Sequence, residues 1–207
     1  MIELRNLCLT SGAFSMSGVS LSLQAGEYVA IMGRTGQGKT TLLEAIAGLR
    51  PVTSGEVLIG GVNVTHLPPA LRGVGYVPQD LALFPTMTVR ENLAFALKVR
   101  QRPNPGHIEA LAEWLGIGPL LDRSVTALSG GEAQRTALGR ALSFEPKVLL
   151  LDEPFSALDE DTRASMHSLM KRVREKTGVT VLHVTHNRSE AVALADRVVV
   201  LEDGKLG

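Results

Sequence analysis

Gly33 to Thr40 reads GRTGQGKT, two glycines separated by four residues and followed at once by a lysine and a hydroxyl. That spacing suits a polyphosphate. Backbone N–H groups of Gly33, Arg34, Thr35, Gly36, Gln37 and Gly38 can curl around phosphate oxygens, and the helix start behind the loop adds its partial positive charge. Lys39 then neutralises the β and γ oxygens, and the Thr40 hydroxyl can ligate Mg²⁺. Further along, Asp152 and Glu153 follow the apolar run Val148 to Leu151. A free carboxylate at the end of such a run is costly unless a cation meets it, and Mg²⁺ held jointly with Thr40 is the natural partner. Glu153 is then placed to polarise a water attacking the γ-phosphate. Gln79 after Val74 to Val77, and His186 after Val179 to Val184, stand at the ends of two more apolar runs.

These residues work together only if the runs are neighbouring strands of one sheet. Tyr28 to Met32 is apolar throughout, as expected of a strand covered on both faces, and it leads straight into the glycine loop. Thr40 to Leu49 follows as a helix, with Leu42, Leu43, Ile46 and Leu49 on one side. Ile2 to Leu9 and Val19 to Leu23 alternate, and Glu56 to Ile59 with Val62 to Val64 around Gly60-Gly61 reads as a hairpin. Thr88 and Glu91 make a capping box for a helix that Arg102-Pro103-Asn104-Pro105-Gly106 breaks, and a second helical piece carries Leu111, Trp114 and Leu115. Ser129 and Glu132 form another capping box, for a helix to about Leu142, and a long helix spans about Thr162 to Lys176. Strands alternating with helices predict an α/β fold with a mostly parallel sheet, whose ligands bind at the carboxyl ends of the strands. The glycine loop, Gln79, Asp152-Glu153 and His186 all stand at such ends. His183 should point away from them and pack, and His66, His107 and His167 join no constellation.

At 207 residues the chain is long enough for one substantial domain. Lys plus Arg number 21 and Asp plus Glu number 21, so nothing in the balance or in any basic run directs the chain to nucleic acid. Cys8 is the single cysteine, which excludes an intrachain disulfide and a multi-cysteine zinc site. The start MIELRNLCLT carries Glu3 and Arg5 and lacks the order of a secretory signal, and no apolar run approaches the ~18 residues of a spanning helix.

Taken in order, GRTGQGKTT, VPQD, LSGGEAQR at 128–135, VLLLDEP, SALD at 156–159 and VTH resemble the Walker A loop, Q-loop, signature, Walker B, D-loop and switch-histidine segment of ATP-binding-cassette (ABC) transporter nucleotide-binding subunits. The likeness covers essentially the whole chain, and LSGGxxQR between the Walker motifs is highly specific. It implies a P-loop NTPase with an N-terminal antiparallel β portion and a helical lobe carrying the signature. The core would be 1–80 and 145–207, and the lobe 81–144. It also implies MgATP hydrolysis in a head-to-tail homodimer or paired cassette. There Lys39 and Thr40 hold phosphate and Mg²⁺, Thr41 supports the α-phosphate, and Glu153 is the catalytic base. Gln79 contacts Mg²⁺ or the attacking water, and His186 holds the γ-phosphate. Asp159 communicates across the dimer, and Ser129, Gly130, Gly131 and Gln134 serve the ATP bound by the other copy. Phe14 in SGAFSMSG is the candidate for stacking on adenine, a place usually held by Tyr.

LPPALRGVGYVPQDLALFPTMTVRENLAFAL, at 67–97, resembles the same stretch of importers for oxyanions, sugars, polyamines and iron, although Thr86 and Pro78 stand where those often have His and Phe. The implied partners are transmembrane permease subunits and a solute-binding protein, at the cytoplasmic face of the membrane. Members of this type commonly carry a C-terminal β-rich regulatory domain, whereas here Asp203-Gly204 signals a hairpin turn with three residues after it. An exporter ATPase is the nearest alternative. A chromosome-maintenance ATPase would need a coiled-coil insertion and a GTPase an N-K-x-D segment, and neither is present.

Overall fold

A computed structural model describes residues 1–11, 14–102, 104, 106–202 and 204–207. Gly12 and Ala13 beside Phe14, Pro103 and Pro105 of the helix break, and Asp203 of the expected hairpin turn lie outside the described residues.

The N-terminal half contributes an antiparallel sheet of β1 (Ile2–Ser11), β2 (Phe14–Leu23), β4 (Ser54–Ile59) and β5 (Val62–Asn63), in the order β2-β1-β4-β5. Its buried face carries Ile2, Leu4, Leu7 and Leu9. Leu4 and Leu7 are three apart, so strict alternation would put them on opposite faces. The register shift between them, with Asn6 at φ 46°, restores Leu7 to the core. β2 begins at Phe14, five residues earlier than the alternation of Val19 to Leu23 indicates, because Ser11 pairs with Phe14 and extends the ladder.

The second sheet has the order β10-β9-β3-β8-β7-β6, from β3 (Tyr28–Met32), β6 (Val74–Val77), β7 (Val148–Asp152), β8 (Thr180–Val184), β9 (Arg197–Glu202) and β10 (Lys205–Leu206). Only the β9–β10 pair is antiparallel. Its continuous apolar strands divide by period two. Val29, Ile31, Val148, Leu150, Leu182 and Val184 face α1 (Lys39–Ala47) and the antiparallel sheet, within one core. Tyr28, Leu149, Leu151 and Val181 face a second core with α2 (Val89–Val99), α3 (His107–Leu115), α4 (Gly130–Leu142) and α5 (Glu160–Thr177). The segment 81–144 thus packs into the same core as one face of the sheet.

α1 stops at Ala47, before the expected Leu49, because Gly48 turns left-handed (φ 83°) and returns its N–H to the Ala45 and Glu44 carbonyls. α5 starts two residues earlier than the apolar periodicity indicates, because the Asp159 carboxylate accepts the Thr162 N–H and caps it. The antiparallel pair β9–β10 supplies the two strands of the hairpin expected around Asp203-Gly204, and the short α6 (Arg188–Leu194) has no counterpart among the expected elements. Among the described residues no helix is long and apolar enough to cross a membrane.

Candidate functional site

The order of the strands decides the site. β3, β8, β7 and β6 are parallel neighbours, so the segments leaving their carboxyl ends are the glycine loop, Thr185-His186, Glu153 and Pro78-Gln79. A cleft of about 420 Å³ lies there, lined by Phe14, Thr35, Gly36, Gly38, Lys39, Thr40, Thr41, Gln79, Glu153 and His186. Residues 172 positions apart in the chain therefore share one wall.

Within the glycine loop, two positions need glycine for different reasons. A Cβ on Gly33 would lie 2.4 Å from the Leu201 carbonyl of β9, so the loop leaves the sheet only because the backbones touch. Gly38 caps α1 with φ 88°, and a Cβ there would meet the Phe14 ring at 2.2 Å. Lys39 is 5% exposed, and its Nζ donates to the carbonyls of Gly33 (2.8 Å) and Arg34 (3.1 Å). The ammonium is thereby held across the loop at the N-terminus of α1, where phosphate oxygens are favoured.

Asp152, the last residue of β7, is 1% exposed. Thr40 Oγ1 donates to its Oδ1 at 3.1 Å and the Tyr76 hydroxyl to its Oδ2 at 3.5 Å. Burial pushes the carboxyl pKa up, the Thr40 bond opposes this, and the charge of Glu153 adds to it. The Tyr76 hydroxyl is likewise pushed up, by burial and by Asp152. A buried carboxylate held by hydroxyls alone is what a hard cation would relieve. No cluster of three or more His, Cys, Asp or Glu able to hold a metal occurs among the described residues. Mg²⁺ is typically bound through one or two carboxylates plus substrate phosphates. Thr40, Asp152 and Gln79 offer oxygen ligands.

Glu153 sits at φ 44°, a left-handed conformation that costs a non-glycine residue about 1–2 kcal/mol. Its N–H donates to the Val184 carbonyl at 2.9 Å, which holds the turn against β8. The side chain emerges into the cleft, where Oε2 lies 3.0 Å from His186 Nδ1. A lone carboxylate and a lone imidazole in the sequence are thus a hydrogen-bonded pair. His183 does pack: it is fully buried, with Nδ1 3.1 Å from the Tyr28 hydroxyl, and burial pulls its pKa down to about 3.

The signature lines no part of this cleft. Ser129 Oγ accepts the Glu132 N–H at 3.4 Å, and Glu132 Oε2 accepts the Ser129 N–H at 2.8 Å, so the expected capping box is present. Ser129 and Gly130 are exposed, Gly131 is half-buried, and Gln134 is 4% exposed. A Cβ on Gly131 would meet Thr162 Cγ2 at 2.8 Å, and one on Gly130 would lie 3.7 Å from Leu158. The signature therefore abuts the start of α5, where Asp159 takes both the N–H and the hydroxyl of Thr162 and has its pKa lowered by those bonds.

Three supporting residues escaped the sequence reading. Tyr76 reaches Asp152 from β6. Arg72 is 5% exposed and donates to four carbonyls, those of Leu67, Ala45, Ile46 and Thr65, at 2.7–3.0 Å, which ties the end of α1 to the chain before β6. Arg140 on α4 donates to the carbonyls of Leu81 (2.8 Å) and Ala82 (2.5 Å), two left-handed residues just after Gln79. Tyr76 lies in an expected strand and Arg140 in an expected helix, and neither pattern says what the side chain touches.

A strand, phosphate loop and helix at the edge of a parallel sheet, with an acidic strand end beside it, define a P-loop nucleotide-binding protein. The model of the ABC transporter family matches residues 16–156, and the chain belongs to that family. It is 49% identical over 196 residues to the molybdate/tungstate import ATP-binding protein of Thermococcus kodakarensis, covering 93% of this chain and 59% of that protein. It is 46% identical to the sulfate/thiosulfate import ATP-binding protein of Methylococcus capsulatus, covering 99% of this chain and 61% of that one. With the maltose/maltodextrin import ATP-binding protein of Salmonella typhimurium the identity is 42%, covering 99% and 57%. The chain thus spans about three fifths of the length of the curated relatives it matches. Among solved structures it is similar to an ATP-binding cassette dimer in a post-hydrolysis state bound to ADP and Pi. The TM-score is 0.88 and the identity 30%, with 100% of this chain and 96% of that one covered. A dimeric bacterial ABC transporter cassette gives the same TM-score at 31% identity.

Proposed function

We propose that this chain binds MgATP in the cleft between the glycine loop and the β7 and β8 ends and hydrolyses it. The observation that carries the reading is the convergence of Lys39, Thr40, Gln79, Glu153 and His186 on one cleft, with the buried Asp152 behind Thr40. Phosphoryl transfer to water requires positioning and charge neutralisation far more than covalent chemistry. The loop N–H groups and Lys39 would take the phosphate oxygens, with Thr41 beside the α-phosphate and Phe14 against the base. Thr40 and Asp152 would hold Mg²⁺, which would supply charge neutralisation for the phosphates. Glu153 would accept the proton of the attacking water at its carboxylate. His186 would hold that carboxylate in the resting cleft and a γ-phosphate oxygen in the loaded one, and Gln79 would orient the water.

Ser129 to Gln134 line no part of the chain's own cleft, which supports a site completed by a second copy in head-to-tail arrangement, with Asp159 beside the signature at that junction. The import names of the relatives support solute import over export, through permease subunits at the cytoplasmic face of the membrane and with a solute-binding protein outside. The segment 81–144 would be the lobe that passes the motion on. Turnover of ATP by the purified chain, set against Glu153→Gln, tests the reading. The variant should keep nucleotide affinity within about threefold and lose at least a hundredfold in kcat. Unchanged turnover, or activity with GTP alone, would overturn it.

A further inference from the structure

One buried charge belongs to no motif. Glu190 on α6 is 2% exposed, and its Oε2 accepts the Thr185 hydroxyl at 2.7 Å. Thr185 Oγ1 in turn accepts the Asn187 N–H at 3.0 Å, so the residues on both sides of His186 are fastened to this one carboxylate. On its other side, Oε1 lies 3.6 Å from Arg163 Nε. Arg163 projects from the first turn of α5 and donates through Nη2 to the Leu158 carbonyl at 2.5 Å and through Nε to the Phe155 carbonyl at 3.5 Å. Those two carbonyls belong to the turns that follow Glu153. The Ser156 N–H and hydroxyl both bond the Glu153 carbonyl, at 3.3 and 3.0 Å, and the Leu158 N–H bonds the Phe155 carbonyl at 3.2 Å. Glu153 meets His186 again at the cleft.

The contacts close a ring. From Glu153 it passes through the turn at Ser156 to Leu158, then Arg163, Glu190 and Thr185, and through His186 back to Glu153. We propose that Arg163 and Glu190 are positioning residues that make the Ser156–Asp159 segment and the His186 segment one mechanical unit, so that displacement of the first displaces His186 from Glu153. Three facts favour this over two unrelated local contacts. A buried carboxylate requires a compensating charge, and Arg163 is the cation that approaches Glu190. The one guanidinium whose charge faces Glu190 also donates through Nη2 and Nε to the Leu158 and Phe155 carbonyls, so a shift of the turn carries with it the cation that neutralises Glu190. The segment Arg163 grips also abuts the signature, Leu158 lying against Gly130, where the proposed function places a second copy. The inference rests on that reading for its consequence in catalysis, but not for the coupling itself.

Hydrogen exchange of the full chain measures the coupling without any turnover. Glu190→Gln should speed exchange at the Ser156 and Leu158 N–H groups, which Glu190 does not touch, by at least fivefold. Arg163→Met should do the same at Asn187, which Arg163 does not touch. The N–H groups of α1 report global stability and should change by less than twofold. Arg163→Lys keeps the charge facing Glu190 but loses the fork, and should protect Asn187 while leaving Leu158 fast; it also carries the test should Glu190→Gln not fold. If each substitution speeds exchange only within its own segment, the ring is not a unit and the proposal falls. In ATP turnover, kcat should drop at least tenfold in Glu190→Gln with KM within twofold. Exchange coupling without any wild-type turnover would instead refute the proposed function and leave the ring standing. Normal kcat in Glu190→Gln alongside wild-type turnover would refute its role in positioning His186.

Discussion

Asp152→Asn should make the nucleotide-free chain more stable while removing its use of Mg²⁺. The exchange preserves shape and deletes one buried charge. Asp152 is 1% exposed, receives two hydroxyl donors, and no cation figures among the influences on its carboxyl, whose pKa is raised above 3.8 chiefly by burial. A carboxyl that holds its proton more tightly in the folded state lowers stability as pH rises. Its penalty is absent below 3.8 and grows as pH rises from there to the raised folded pKa. Incompletely compensated buried polar groups cost about 1–3 kcal/mol. With two hydroxyls already bonded, a gain of about 1–2 kcal/mol at pH 7.5 is expected for the amide, whose Oδ1 keeps the Thr40 bond. At ~2–4 °C per kcal/mol for a chain of this size, Tm in EDTA should rise by about 2–8 °C. The difference should shrink as the buffer is taken down toward pH 3.8, where the penalty is absent. Thermal melts with Mg²⁺ and a non-hydrolysable ATP analogue supply the second arm, since the wild type should gain more from Mg²⁺ than the variant does. A variant that melts at or below the wild type in EDTA at pH 7.5 would show the carboxylate to be compensated already, and the argument from its burial to a cation site would fail.

Gly38→Ala should cost more than 2 kcal/mol, of which about 1–2 kcal/mol comes from φ 88° and the rest from the Phe14 ring at 2.2 Å; adding Phe14→Ala should recover only the second part in a double-mutant cycle. Arg72→Ala strands four carbonyls and should lower the urea midpoint by the equivalent of about 3 kcal/mol, with m unchanged. His183 folds neutral, with its pKa lowered from 6.5 to about 3, so its contribution is intact above pH 6.5 and is lost at about 1.4 kcal/mol per pH unit below it. His183→Phe should therefore lose less stability than the wild type between pH 7 and pH 5, by about 2 kcal/mol, and parallel curves would contradict the buried neutral ring.

The parts of the fold that the sequence discloses are those with strong local reasons. Tyr28 to Met32 and Val148 to Leu151 are apolar without interruption because both faces are covered, and Thr88 with Glu91 and Ser129 with Glu132 cap helices as their spacing requires. Helix α6 is seven residues long and opens with Arg188, Ser189 and Glu190, so no apolar period could reveal it. β9 alternates exposed Val198 and Val200 with buried Val199 and Leu201, and the turn signal at Asp203-Gly204 marks only its far end.

By itself the sequence determined the chemistry available: a loop that cradles phosphate, a lysine and a threonine after it, a carboxylate pair, an amide and an imidazole, each at the end of an apolar run. Those follow from residue type and spacing along a few residues of chain, which is where φ, ψ and side-chain direction are decided. Only the tertiary structure decided that β8 lies between β3 and β7, and hence that His186 stands against Glu153. It alone joined Arg163 to Glu190 and Arg140 to Leu81 and Ala82. Strand order and long side-chain reach depend on which buried surfaces fit across many residues of chain, and no local pattern carries that information.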